Sequence, residues 1–411
     1  MRLPTFFINY FLSRTGVKYT ILLVFLPSIF TGFYPGKITV MTTFCGWILF
    51  ISYFNFKRKL FLNDFDGRNI IRIFLLYMAV LYIRGWGNID SVTDVYAQLG
   101  TNLFFCFLFP SLIFISHPSY LYYVLKSFIW PGLLLCIICY FFPPSDGMMS
   151  LAHNASFLNV LILCIPFVKW KWRVLILSAV IFVVLLDIDR RSIMVNNVVT
   201  LLLVLSFSIL KSKLFKHLTF CIFIIFPLVF AYLGFCGKFN IFEYMDQTSF
   251  FLNGDSRSLF VDSRTSIYED VFGELKKDNA YIWGLGCNGK TSTSLNDLQN
   301  ADYTNIYKYG RPSTESGMLN YIQYGGLLGF VLYGLLLILA AYKATFLSKN
   351  NFMISLGLFV AFKFLYSFIE DQVMFNAHTF YIFLWLGMCY NKSFREMTNE
   401  QIKEYFKLIF K

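Results

Sequence analysis

Residues 317–342 read GMLNYIQYGGLLGFVLYGLLLILAAY and contain no Asp, Glu, Lys, Arg or His. A helix needs about 20 apolar residues to cross a bilayer, and this stretch exceeds that length. Eleven similar stretches predict further spans at about 17–34, 38–56, 69–85, 97–116, 119–142, 151–168, 172–188, 192–210, 217–235, 352–370 and 374–390. Membrane-spanning strands would alternate apolar and polar residues, which these runs do not. The sequence therefore predicts an all-α polytopic membrane protein with about 12 transmembrane helices.

The composition and the placement of charge agree with this class. Of the 411 residues, 57% are apolar and 14% are charged, whereas a soluble domain carries about 25% charged residues. If the N-terminus is cytoplasmic, twenty of the 35 Lys and Arg residues fall on the cytoplasmic side, and the short outer loops hold only Lys37, Arg84, Arg190 and Arg191. This positive-inside bias predicts that both termini are cytoplasmic. It also accounts for the net charge of +12 without a nucleic-acid partner.

The chain divides into four parts. Residues 1–235 form a membrane domain with nine spans, 236–316 an extracytoplasmic loop, 317–390 three further spans, and 391–411 a cytoplasmic tail. The loop is far longer than a connector needs, which predicts that it is functional. Within it, SRTSIYEDVFGELKK (263–277) places Ile267, Val271 and Leu275 on one helical stripe. The tail begins with a capping-box pattern at Thr398 and Gln401, and its apolar stripe beside lysines predicts an interfacial helix.

Several charged residues on the outer side are candidates for function. Arg190 and Arg191 oppose the positive-inside rule, so they need a partner, which is either the adjacent Asp187 and Asp189 or an anion that arrives from outside. Guanidinium groups suit phosphate, because they donate two parallel hydrogen bonds to it. The loop adds Arg257, Arg264, Lys290 and Arg311, and His378 lies at an outer span end. Lys363 lies within a span, where we expect it to pair with an acid.

Glu315 lies two residues before the span at 317–342. Partial desolvation at the membrane surface would raise its pKa toward that of a useful general base. Alternatively, Ser313 or Thr314 caps this helix and Glu315 simply favours the positive end of its dipole. The sequence contains no metal-binding motif and no phosphate loop, so it predicts no metal and no cofactor. Cys236 and Cys287 both lie in the outer loop and could pair in an oxidising compartment.

Three segments together resemble the bacterial O-antigen polymerase and ligase superfamily, the Wzy-like and WaaL-like proteins. They are DRRSIMV (189–195), SRTSIYEDVFGELKKDNAYIWGLG (263–286) and STESGMLNYIQYGGLLG (313–329). In that superfamily an Arg motif stands at an outer span end, an Arg helix in the loop precedes a Gly-x-Gly, and a polar residue stands eleven positions before a Gly-x-x-Gly. The ligases usually carry His at that last position, where this chain has Glu315. The resemblance therefore favours a polymerase.

The resemblance implies a metal-independent glycosyltransferase in the bacterial plasma (inner) membrane, with an active site that faces the periplasm or exterior. The donor would be an oligosaccharide on undecaprenyl diphosphate, and the acceptor a sugar hydroxyl of another lipid-linked repeat unit, with inversion at the anomeric carbon. Arg191, Arg264 and Glu315 would be catalytic, and Arg190, Arg257, Lys290, Arg311 and His378 would bind substrate. A chain-length regulator protein is an implied partner in O-antigen, lipopolysaccharide or capsule synthesis.

Two other functions compete with this prediction. An O-antigen ligase would differ only in its acceptor, which no motif reveals. A flippase or other transporter with twelve spans would show two related halves of six spans. The outer loop instead follows the ninth predicted span, so the sequence shows no such symmetry.

Overall fold

The computed structural model describes residues 65–113, 116–118, 121–122, 125, 158–186, 191–206, 212–235, 264–292, 310–311, 313–314, 316–369 and 377–410. This part of the chain is all-helical and lacks strands, apart from isolated bridges that pair Phe65 with Asn391 and Thr291 with Arg311. The helices are α1 Arg68–Gly85, α2 Val92–Ala97, α3 Phe109–Leu112, α4 Leu158–Cys164, α5 Trp170–Leu186, α6 Arg191–Leu205, α7 Lys213–Phe235, α8 Arg264–Lys277, α9 Gly317–Phe346, α10 Asn351–Tyr366, α11 Ala377–Tyr390, α12 Lys392–Glu396 and α13 Asn399–Ile409.

Two of the described helices are long and apolar enough to cross a membrane, Arg68–Asn88 and Gly317–Phe346. Shorter apolar helices lie at Leu158–Phe167, Met194–Leu205, Asn351–Tyr366 and Tyr381–Tyr390. The all-helical prediction is confirmed, whereas the count of twelve spans is not. The predicted spans 17–34 and 38–56 lie outside the described residues, as does most of 119–142. The stretch predicted as one span at 97–116 is broken into α-helical and π-helical turns, Gln98–Asn102 and Phe104–Leu108 among them.

Helix α10 lies at the centre of the structure. Fourteen of its 16 residues are buried, which is typical of a helix that is apolar on every side. It packs against α6, α7, α9 and α11. The Trp385 ring of α11 lies 5.0 Å from the Phe359 ring of α10, and the Tyr321 and Tyr333 rings of α9 stack at 3.8 Å. The contact between Trp385 and Phe359 holds α11 against α10, whereas the stack of Tyr321 on Tyr333 lies within α9.

Helix α7 presents an apolar surface to the outside. Its lysines are confined to the first turn. Its exposed large apolar side chains include Leu214, Leu218, Ile222, Ile225, Phe226, Val229 and Tyr232. A surface of this kind marks contact with a membrane or with another protein.

Helix α9 is kinked, and a segment that follows α8 fills the kink. Gly326 has φ 59° and ψ −153°, which interrupts the helix. In a regular helix, the amides of Leu327 and Leu328 would donate to the carbonyls of Gln323 and Tyr324. Instead the two amides donate to Tyr281 O (2.8 Å) and Ile282 O (3.2 Å), and the two carbonyls accept from Leu285 N and Gly286 N (both 2.8 Å). Four hydrogen bonds between this segment and α9 thus replace two hydrogen bonds within the helix. We call residues 281–289 the docked segment.

Two glycines allow the backbones to approach this closely. Gly284 (φ 65°) and Gly326 (φ 59°) both occupy the left-handed half of φ space, which side chains disfavour. A Cβ atom on Gly284 would lie 2.5 Å from Gly325 N, and one on Gly326 would lie 2.5 Å from Gly284 N. The glycines of the GLG and GGLLG motifs therefore meet each other in the fold.

Polar side chains of α1 and its extension satisfy the carbonyls of the docked segment. Arg84 donates to Trp283 O (2.5 Å) and to Gly284 O (2.8 Å). Asn88 donates to Leu285 O (2.7 Å), and Gln323 of α9 donates to Gly289 O (2.8 Å). Buried backbone outside regular helices is tolerated where other protein groups satisfy its polar atoms in this way.

The C-terminal tail differs in part from its prediction. The capping box of Thr398 and Gln401 is confirmed. However, the apolar stripe of α13, at Ile402, Phe406 and Ile409, is buried against the protein. The Phe406 ring lies 4.8 Å from the Phe352 ring, and Tyr405 donates to Pro118 O (2.7 Å). The stripe thus covers the core of the chain itself, because the core leaves apolar surface open at this end.

We predict that Gly284→Ala and Gly326→Ala each lower the free energy of unfolding by about 3 kcal/mol or more, because the added methyl meets backbone that cannot move away. Gly273→Ala in α8 is the matched control. An added Cβ there meets nothing within 4 Å, and helix propensity favours Ala. Thermal unfolding of the detergent-purified protein measures all three variants. Equal midpoints for Gly273→Ala and Gly326→Ala would contradict the close approach.

Candidate functional site

Helix α8 packs against the start of α9. The predicted stripe is confirmed, because Ile267, Val271 and Leu275 are all buried against Leu319. The helix bounds, Arg264–Lys277, also match the prediction. The apolar stripe thereby fixes which face of α8 points away from the solvent, and it sets the position of every other residue on the helix.

Three helix ends meet beside this contact. The Tyr268 hydroxyl of α8 donates to Phe368 O (2.9 Å), just beyond the end of α10, and lies 3.3 Å from the Ser316 hydroxyl. Ser316 is the N-cap residue of α9, and its hydroxyl donates to Ser367 O (3.1 Å). Hydrogen bonds thus join α8, the start of α9 and the end of α10. We call this place the three-helix junction.

One predicted catalytic residue, Arg264, begins the helix that forms this junction. Arg264 is the first residue of α8 and precedes Tyr268 by four residues, so both positions share one helical face. Glu315 lies outside the described residues, but both of its neighbours, Thr314 and Ser316, are buried. The alternative that Ser313 or Thr314 caps α9 is wrong, because Ser316 is the N-cap residue of that helix. Thr314 instead exchanges hydrogen bonds with the Asn320 side chain (2.6 and 2.9 Å).

A buried lysine extends the junction toward α6. Lys363 of α10 is fully buried, lies one turn before Ser367, and donates to Asn196 Oδ1 (2.5 Å) on α6. Its ammonium also lies 5.5 Å and 5.4 Å from the centroids of the Phe359 and Tyr366 rings, a distance that favours cation–π attraction. We expected Lys363 to pair with an acid, whereas this hydrogen bond goes to an amide.

The same contact joins α6 to α10. Arg191 is the first residue of α6 and precedes Asn196 by five residues, about 7.5 Å along the helix. Helix α11 begins at Ala377, next to His378, only eight residues after Ile369. Arg191, Arg264 and His378 thus each lie in the first two residues of a helix, whereas Arg190 and Arg257 lie outside the described residues.

Lys290 and Arg311 lie at the opposite end of α8. Arg311 exchanges backbone hydrogen bonds with Thr291 (2.8 and 3.0 Å). The next residue, Ser292, donates its hydroxyl to Glu274 (2.6 Å), near the C-terminus of α8. An ideal helix separates Glu274 from Arg264 by about 15 Å. The structure therefore does not bring Lys290 and Arg311 to the same end of α8 as Arg264.

Lys290 forms ion pairs that stabilise the fold. Its ammonium lies 2.9 Å from Asp94 Oδ2 and 3.3 Å from Asp90 Oδ2. Burial alone would raise the pKa of Asp94, but hydrogen bonds from Lys290 and Ser91 outweigh it and lower that pKa. Burial likewise opposes the charge on Lys290, yet the hydrogen bonds to Asp94 and Asp90 raise its pKa. A role of Lys290 in substrate binding stays a prediction.

Sequence analysis missed a cluster of buried amides next to this ion pair. Asn102 donates to Gln98 Oε1 (2.9 Å) and to Asn288 Oδ1 (2.6 Å), and Asn288 donates to Gln98 Oε1 (2.9 Å). The cluster ties the docked segment to the helical turns after α2. Two signals in the sequence could have indicated this cluster. They are the amide side chains within an apolar stretch and the capping box of Ser91 and Asp94, which the structure contains.

The two ends of α8 therefore differ in chemistry. At the end with Lys290, the cation is matched by carboxylates and the amides satisfy one another, which is typical of structural contacts. At the end with the three-helix junction, Arg264 and Arg191 begin helices and Lys363 is buried below. Arg264 and Arg191 stand at helix N-termini, where the free backbone amides and the helix dipole favour an anionic ligand, whereas Lys363 lies in the last turn of α10.

We predict that Lys290→Met lowers the free energy of unfolding by about 2–3 kcal/mol, because it leaves Asp94 without its cation. Asp90→Asn is the control and should change stability by less than about 0.5 kcal/mol, since the Asp90 side chain is 67% exposed. Chemical denaturation in detergent micelles measures both. A loss in Asp90→Asn as large as that in Lys290→Met would contradict this assignment.

The same ion pair predicts a pH dependence. Because the folded-state pKa of Asp94 is lowered, its stabilising contribution is present above the unfolded pKa of about 3.9 and is lost as the pH falls through the folded value. The raised pKa of Lys290 keeps its contribution until the pH exceeds about 10.4. The stability difference between wild type and Asp94→Asn should therefore be constant from pH 6 to 9 and shrink below about pH 4. A difference that persists at low pH would refute the assignment.

A double-mutant cycle tests the hydrogen bond between Lys363 and Asn196. Lys363→Met should change stability by less than about 1 kcal/mol, whereas Asn196→Leu should cost about 3 kcal/mol, because it removes an acceptor from a buried charge. The double variant should recover most of that loss. Thermal unfolding of the four proteins gives the coupling energy, and additive losses would exclude a direct interaction.

Comparisons with known proteins identified no relative of this chain. No family model matches the chain, and neither a curated protein nor a solved structure matches it.

Proposed function

We propose that this chain is a polysaccharide polymerase of the bacterial plasma membrane, with about twelve spans, both termini in the cytoplasm and the loop 236–316 outside. It joins oligosaccharide repeat units that are carried on undecaprenyl diphosphate. The proposal takes its substrate class from the resemblance of three sequence segments to the O-antigen polymerase and ligase superfamily. The helix contacts of these segments support it.

The observation that carries the proposal is the three-helix junction. The Tyr268 hydroxyl joins α8, the helix that starts at Arg264, to Phe368 and to Ser316, which follows Glu315 in the sequence. The segment DRRSIMV (189–195) includes the start of α6, and the hydrogen bond from Lys363 to Asn196 holds α6 against α10. The segments 263–286 and 313–329 thus contact each other, and α6, which begins in the segment 189–195, contacts α10.

In the proposed site, cations bind the diphosphate of the donor. Arg264 and Arg191 are the principal ligands, and Arg190, Arg257 and His378 bind other parts of the substrates, whereas Lys290 and Arg311 lie at the other end of α8. Each well-placed donor contributes roughly 3 kcal/mol to the stabilisation of the charge that develops on the leaving diphosphate. Arginine suits this task because its planar group donates two hydrogen bonds to one phosphate.

The reaction is a direct displacement. Glu315 accepts the proton of the acceptor hydroxyl, and the resulting oxygen nucleophile forms a bond to the anomeric carbon of the donor. The bond between that carbon and the diphosphate oxygen breaks, and undecaprenyl diphosphate leaves with the electron pair. A single displacement inverts the anomeric configuration. The donor is already activated, so the step requires no nucleotide.

We predict that Arg264→Ala and Arg191→Ala each reduce polymer synthesis by about 100-fold or more, because each removes a group that stabilises the leaving diphosphate. Glu315→Gln should lower turnover more than donor binding, because it removes the base and keeps the shape. A gel of surface glycans from a complemented deletion strain measures the products. The wild type should give a ladder, and the variants should give single repeat units.

The matched control for these variants is Lys276→Ala. Lys276 is an exposed cation on the same helix as Arg264, so its loss should leave the ladder unchanged. Membrane levels of every variant are compared by immunoblot. An unchanged ladder in both Arg264→Ala and Arg191→Ala would contradict the proposed anion site. A deletion strain that accumulates a complete but unattached ladder would identify a ligase instead.

A further inference from the structure

Two cysteines from distant parts of the chain are in contact. Cys106 Sγ lies 3.4 Å from Cys287 Sγ, and 181 positions separate the two residues in the sequence. Both side chains are fully buried. Cys106 lies in the helical turns after α2, and Cys287 lies in the docked segment. The sequence offered Cys236 as a partner for Cys287, but Cys236 lies outside the described residues.

We propose that Cys106 and Cys287 form a disulfide bond on the outer side of the membrane. The outer placement of the docked segment rests on the proposed function, whereas the contact between the sulfur atoms does not. A disulfide has an S–S distance of about 2.05 Å. The present separation is a van der Waals contact, so the bond requires a shift of little more than 1 Å, which small side-chain rotations provide.

The surroundings of Cys287 hold its backbone in place for this bond. Its amide donates to Leu81 O (3.4 Å), and its carbonyl accepts from Asn88 (3.3 Å). The absence of a side chain at Gly85 lets Cys287 lie against α1, because a Cβ there would stand 2.7 Å from Cys287 Cβ. The next residue, Asn288, is bound by Gln98 and Asn102. The docked segment therefore does not have to rearrange.

The chemistry balances as a thiol–disulfide exchange. One cysteine thiolate attacks the disulfide of an oxidant and forms a mixed disulfide, and the first oxidant thiol leaves. The second cysteine thiolate then attacks the bonded sulfur and releases the second oxidant thiol. The two cysteines lose two electrons and two protons, and the oxidant is reduced to two thiols. A protein disulfide of the outer compartment serves as the oxidant before the docked segment is fully buried.

The bond would lock the docked segment into the kink of α9. A cross-link between residues that are so far apart in sequence removes many conformations from the unfolded chain, so it stabilises the folded state. Reduction of the purified protein should lower its unfolding midpoint by roughly 5 °C or more.

The test begins with wild-type protein in native membranes. Free thiols are blocked with N-ethylmaleimide, and the denatured protein is digested and analysed by mass spectrometry. We expect a linked pair of peptides that contain Cys106 and Cys287, and the pair should separate after reduction. A purified, reduced sample is also treated with 4,4′-dithiodipyridine, a small apolar disulfide, and should form the same linked pair.

Three controls keep the result specific. Cys236→Ser should retain the linked pair, whereas Cys106→Ser and Cys287→Ser should lose it. A link between Cys287 and Cys236 would overturn the proposal. Maleimide on both Cys106 and Cys287 after treatment with dithiodipyridine would overturn it as well.

A labelling experiment separates this proposal from the proposed function. Lys276→Cys places a thiol on the exposed side of α8, and a membrane-impermeant maleimide labels it in intact cells only if the loop is outside. A labelled loop with two free thiols at Cys106 and Cys287 overturns the disulfide alone. An unlabelled loop contradicts the outer placement and with it the polymerase, while a linked pair in the purified protein would still support the contact.

Discussion

The exchange of hydrogen bonds between the docked segment and α9 is the interaction on which the rest of the structure depends. A kink at Gly326 frees two amides and two carbonyls of α9, and the docked segment satisfies all four. Such groups are costly to leave unsatisfied in an apolar environment. The helix and the segment are therefore stable only together, and the two glycines at their contact allow no side chain.

This constraint places the candidate site. Because the docked segment follows α8 directly, its position fixes the C-terminal end of α8, and the apolar stripe then lays α8 along the start of α9. Tyr268 reaches the ends of α9 and α10 as a consequence. The proposed catalytic positions thus depend on backbone hydrogen bonds that lie at the other end of α8, where Lys290 and the amide cluster are structural.

Local patterns in the sequence were sufficient to predict individual elements. The stripe of Ile267, Val271 and Leu275 predicted α8, and the Thr398 capping box predicted the start of α13, because each signal lies within a few residues. Apolar length predicted most helix bounds, but it could not reveal the kink, since Gly326 lies inside a continuous apolar run. The docking of residues 281–289 on α9, the contact of Lys363 with Asn196 and that of Cys106 with Cys287 all join residues that are distant in sequence. No periodicity records such pairs. The burial of the α13 stripe could not be predicted either. An apolar stripe packs equally well against lipid or against a protein core, and the sequence alone does not distinguish the two.

The central claim is that this chain transfers glycans between lipid carriers at a site built from cations and one carboxylate. Reconstitution of the purified protein in liposomes with an undecaprenyl-diphosphate-linked repeat unit tests it most directly. The assay contains a metal chelator and no nucleotide, and it measures polymer length together with released undecaprenyl diphosphate. The account predicts polymers and one undecaprenyl diphosphate for each new glycosidic bond. Movement of intact repeat units across the bilayer without any release of undecaprenyl diphosphate would contradict it and identify a transporter.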